Sequence, residues 1–155
     1  MTAKHRSLPG RWWNRPLDLP LLVEASVELA RAVLILRRRP FAETARHLTR
    51  PARPIAADDL LPMRVRWAVQ TMSRHVPWRS VCFDQAIAAQ LMLRRRGIAA
   101  ELVYGVRQAG GRLDAHVWVR LADSSIILGG EASQLFRPVA IFRPGQQDMR
   151  PPLAD

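Results

Sequence analysis

Hydrophobic positions repeat with two periods along this chain, and the change falls just after Gly97. Before it, apolar residues recur at helical spacing. After it, they alternate with polar ones. The most apolar stretch, Leu17 to Leu36, predicts a helix from about Asp18, a good N-cap, to about Arg38, with Pro40 helping to stop it. A short helix follows over Ala42–Leu48, then the proline-rich connector Arg50–Pro54. Asp58 or Asp59 caps a further helix over about 60–75, with Leu60, Met63, Trp67 and Met72 inward. Pro77 ends that region. Ser80 is the expected cap of a helix from Val81 to Arg96, and Gly97 supplies the left-handed residue that closes it.

Beyond Gly97 the chain reads as strands. Ala99–Val106 and Leu113–Ala122 flank a Gly110-Gly111 turn, and in the second run Leu113, Ala115, Val117, Val119 and Leu121 alternate with Asp114, His116, Trp118 and Arg120. Asp123-Ser124 is a second turn, Ser125–Gly130 a third strand, and Leu135–Phe142 a further strand or short helix. Helices first and an antiparallel sheet afterwards make an α+β fold. The expected layout is a basic arm over 1–16, one domain over 17–143 (helices to residue 50, a catalytic core from 58), and a tail over 144–155.

Composition narrows the function. The 155 residues suffice for one core. A single cysteine excludes an internal disulfide, and no ligand spacing suggests a metal or other cofactor. The net charge of +11 points to an acidic partner. The arginines are spread out without interleaved aromatics, so a nucleic-acid partner is not expected. Asp18, Glu24, Glu28 and Arg31 make the apolar stretch a poor membrane span, and no export signal precedes it, so the expected location is cytoplasmic. Trp12-Trp13 and Arg37–Arg39 leave a peripheral membrane contact as an alternative.

Cys82 falls in the first turn of a predicted helix, where free amides and the helix dipole favour a thiolate, and Arg79 adds positive charge. His116, on a strand that can pack against that helix end, is the candidate base. A third group should orient it. If Asp123-Ser124 is a two-residue turn, facing residues sum to 247 and His116 meets Glu131. A loop longer by one gives Ala132, and a slip gives Gly130. Asp123 is the alternative acid, with turn formation its competing role. Asp84 suits the first turn of the helix. Trp78 or Arg79, with the Cys82 amide, are candidate oxyanion donors.

The run Pro77–Cys82, Gln85-Ala86 and Leu91–Ala100, followed by Leu102–Arg107 and Ala115–Val119, resembles the cysteine-helix segment of transglutaminase-like proteins. More narrowly it resembles the stand-alone maturation proteases of lasso-peptide biosynthesis, with Ile127–Glu131 and Phe136 resembling their C-terminal pattern. The resemblance implies a papain-like Cys-His-acid triad that cleaves the leader from a ribosomally made precursor peptide. It also implies a separate leader-binding protein and a lasso cyclase as partners. Where the family carries an aspartate, this chain has Gly129 or Gly130 beside Glu131, and Val117 replaces a frequent alanine. A non-enzymatic adaptor and an amidase or acyltransferase of the same fold are the competing readings.

Overall fold

The computed structural model describes residues 19–48, 60–121 and 123–143. The expected basic arm, the Asp18, Asp58 and Asp59 caps, the Arg50–Pro54 connector and the tail lie outside these residues.

Four helices precede the sheet: α1 (Leu19–Arg38), α2 (Phe41–Leu48), α3 (Leu61–Ser73) and α4 (Cys82–Arg95). Strands β1 (Ala100–Ala109), β2 (Arg112–Leu121) and β3 (Ile126–Leu128) follow, then a single helical turn, α5 (Gly130–Ser133), and β4 (Arg137–Phe142). The sheet order is β3-β2-β1-β4 and every pairing is antiparallel, so the fold is α+β. Among the described residues no helix is long and apolar enough to cross a membrane.

Helix α4 is buried along most of its length, with Ile87, Met92 and Leu93 sealed from solvent between α1 and the sheet face carrying Leu102, Val117 and Val119. Gly97 ends α4 at φ 70°, and the Ile98 amide reaches back to the Leu93 carbonyl at 3.0 Å, the left-handed close expected of that glycine. In α3 the inward residues are Pro62, Val65, Ala68 and Val69, not the expected set. Leu60 precedes the helix and is exposed, as is Met63, while Trp67 and Met72 pack at the flank of the core. Bulk mattered less than position, because the tight approach to α4 selects small and β-branched side chains.

A charged clasp joins α1 to the far end of α4. Arg95 binds both Glu24 and Glu28, and Arg96 binds Glu24. Glu28 is buried, so its charge depends on that guanidinium. The Arg96 hydrogen bond holds the Glu24 carboxyl below its ordinary value, against the opposing effect of burial. At the other end of α4, Phe83 meets Phe41 edge-on at 5.0 Å, and both rings contact Tyr104 of β1. Helix α2 is thereby pinned to the first turn of α4.

Arg95→Ala should lower the unfolding free energy by about 1–3 kcal/mol, the cost of stranding a buried acceptor. Combining it with Glu28→Leu should recover most of that loss, read as the denaturant midpoint. The contribution of Glu24 is present above its unfolded pKa and should fade as pH falls through the lower folded value.

Candidate active site

The cysteine helix begins one residue later than expected. Val81 is the N-cap, in extended conformation, and Cys82 is the first helical residue. Ser80 does not cap the helix. The Val81 amide instead donates to Asp84 Oδ2 at 3.0 Å, so the buried Asp84 carboxylate ties the entry to the first turn. Cys82 is half-buried.

Burial pushes the thiol pKa up, and the Asp84 charge adds to that. The amides of Val117, Phe83 and Cys82 pull the other way without overcoming it. The sequence-based expectation of a depressed pKa therefore fails. Removing the sulfur from water costs the thiolate more than the helix N-terminus returns. Arg79 is exposed and takes no part in the shift.

His116 lies on β2, opposite Gly105 of β1, and is one residue from the Val117 amide that serves the Cys82 thiol. Its ring stacks on Trp118 at 6.0 Å and tilts against Phe136 at 5.1 Å, and the Arg107 guanidinium lies 4.8 Å above Phe136. Trp118 is buried although it sits on the face away from α4. Gly105 makes the room, since a Cβ there would stand 2.7 Å from the indole.

The group that orients His116 is a carbonyl. His116 Nε2 lies 2.9 Å from the Gly129 oxygen. A carbonyl can only accept, so Nε2 carries the proton and Nδ1 is the lone-pair nitrogen of the neutral ring.

The hairpin explains why no acid stands there. Three residues separate Leu121 from Ser125. The Ser124 amide bonds the Leu121 carbonyl at 2.9 Å, and Ser124 takes φ 67°. Arg120 faces Ile126, and a bulge restores the 247 sum at Val119 and Leu128. The expected register is thus present at Leu128, but the strand ends there. Gly129 turns away at φ 77°, and Glu131 falls on α5 instead of facing His116. Its side chain is 89% exposed and lies 3.7 Å from Arg66 of α3. Asp123 is at the hairpin tip, where the Ser125 hydroxyl and amide hold its carboxyl below the ordinary value.

Val117 lies beyond the last β2–β3 pair, which leaves its amide free of a strand partner on that edge and available to the thiol. The segment leading into Cys82 holds two further donors, Trp78 Nε1 and Ser80 Oγ, both buried without a partner among the described residues. Buried donors are rarely left so. Trp78 was a sequence candidate. Ser80 was read only as a cap, and its signal is proximity to the cysteine. Among the described residues no cluster of His, Cys, Asp or Glu could hold a metal.

Two outcomes follow. Alkylation of Cys82, read by intact mass, should titrate with a midpoint above that of an exposed thiol, about 8.5. A midpoint below neutrality would contradict the dominance of burial. Gly129→Ala should cost about 1–2 kcal/mol for the left-handed backbone alone. Its Cβ would also stand 2.9 Å from the Val117 oxygen, so the histidine's partner should shift and the alkylation profile with it.

No curated protein and no solved structure gives a significant match to the chain. The family model described as the transglutaminase-like superfamily matches residues 24–140, which takes in α2 through β3 complete, nearly all of α1 and the start of β4. With a cysteine opening the central helix and a histidine on the strand beside it, the chain belongs to the transglutaminase-like superfamily.

Proposed function

We propose that the protein is a cysteine peptidase that removes the leader from a ribosomally synthesised lasso-type precursor peptide. The observation that carries the reading is the pairing of a nucleophile and an oriented base. The Cys82 thiol is held by the amide next to His116, and the Gly129 carbonyl fixes which nitrogen of His116 is basic. The superfamily supports acyl-enzyme chemistry in general. The motif resemblance of residues 77–106 and 115–119 supports the narrower substrate.

In this mechanism Nδ1 of His116 takes the Cys82 proton as the sulfur attacks the scissile carbonyl. The imidazolium then protonates the leaving amine, and water attacks the thioester with the same nitrogen as base. The Cys82 amide is one oxyanion donor, and Trp78 Nε1 or Ser80 Oγ supplies a second. Because the resting thiol is held protonated, proton transfer accompanies attack. Arg79, Glu131 and Asp123 have no assigned step. A separate leader-binding protein presents the precursor, and a cyclase consumes the released core.

The test is leader release from a candidate precursor, with its recognition protein, followed by mass spectrometry. Cys82→Ala should abolish cleavage, and His116→Ala should slow it by about 10²–10⁴-fold. Glu131→Gln and Asp123→Asn should leave it within about twofold, as expected of exposed charges away from the reacting atoms. Cleavage that survives Cys82→Ala would end the peptidase reading in favour of an adaptor. Loss in Glu131→Gln would return that residue to the triad.

A further inference from the structure

The helical layer carries a concave basic surface away from the cysteine. A cavity of about 450 Å³ opens between the C-terminal half of α1 and the outer side of α2. Arg31, Arg38, Arg39 and His47 line it together with Leu34 and Ile35. Few of these cations are neutralised. Arg38 has no carboxylate partner among the described residues. Arg39 and His47 share the exposed Glu43 at 3.4 and 4.0 Å, a local pair of little net worth. Arg31 stands 3.7 Å from Glu28, whose charge Arg95 already engages.

An apolar stripe runs into the same cavity. Leu19, Val23, Val27 and Leu34 of α1 are each more than half exposed. Their spacing of four, four and seven residues keeps them on one side of the helix. Leu34 belongs to both features, so stripe and basic cavity form one continuous face.

We infer that this α1–α2 face docks an acidic amphipathic helix of a partner protein. The charge complementarity is specific in place. The stripe takes apolar anchors at helical spacing, and the guanidinium groups of Arg31, Arg38 and Arg39 take carboxylates at its end. A nucleic-acid backbone would satisfy the arginines and leave the leucine and valine stripe in water. A bilayer is flat and would not fill a cavity walled by two helices. The inference stands whether or not Cys82 cleaves a leader.

The experiment uses the full chain and a fluorescein-labelled model peptide with leucines at helical spacing and glutamates between them. A lysine version and phosphatidylglycerol vesicles serve as comparisons. Anisotropy should show binding of the glutamate peptide that weakens with salt, and no comparable binding of the lysine peptide. Arg31→Glu combined with Arg38→Glu should weaken binding at least about tenfold through like-charge juxtaposition. Leu34→Asp, at an exposed position, should weaken it as well with an unchanged thermal unfolding curve, and it decides the matter if the double variant fails to fold. Equal binding by the parent chain and Leu34→Asp would overturn the proposal in favour of diffuse charge attraction. So would absence of binding at low salt. Vesicle binding lost in Leu34→Asp, with no peptide binding, would overturn it in favour of a membrane surface.

Discussion

Strand β3 is three residues long, and the chemistry at the sheet edge depends on its stopping at Leu128. Had it continued, the β2 backbone at Val117 would be spent on a ladder, and the carbonyl of residue 129 would face along the sheet. Because Gly129 swings out in the left-handed region, the Val117 amide is left to the Cys82 sulfur and the Gly129 oxygen is left to His116. One backbone event supplies both the nucleophile's neighbour and the base's partner. Only glycine takes that turn without strain, and the Val117 and Trp118 atoms around it exclude a side chain as well.

A carbonyl is a weaker partner for an imidazolium than a carboxylate, since it offers a dipole instead of a full charge. That agrees in direction with a thiol whose pKa burial raises, and with a resting site that holds its proton on sulfur. The surrounding stack of Trp118, His116, Phe136 and Arg107 fixes the ring plane by packing, which needs no charge. The site is thus built from dipoles and contacts, and its two ends are anchored separately: α4 is held by aromatic rings at its first turn and by the Glu24, Glu28, Arg95 and Arg96 clasp at its last.

Much of this was legible in the sequence. The period change after Gly97 separated helices from sheet, and Gly97, Gly110 and Gly111 all take positive φ where turns were expected. Cys82 opening a helix and His116 on the second strand followed from local pattern alone. The failures have physical causes. Hairpin counting assumed a two-residue turn and an unbroken strand, and a three-residue loop, a bulge and an early exit undid it. The thiol was read from the helix dipole, a local property, while burial is set by tertiary packing. The clasp was missed although its parts were visible: two carboxylates four apart on an apolar helix, and an arginine run at the end of another. Alternation put Trp118 outside, and the small Gly105 opposite its neighbour was the available hint of a covered second face.

A group contributed by the main chain leaves no side chain to delete. If the third participant at His116 is the Gly129 oxygen, a scan that replaces residues one at a time with alanine removes nothing from it directly and registers position 129 only as a folding defect. The heritable signature of the role would then be a conformation, carried by whatever sequence ends the strand on time. Isotope-edited infrared of the labelled residue 129 carbonyl, or an ester linkage in place of the following peptide bond, would see what substitution overlooks.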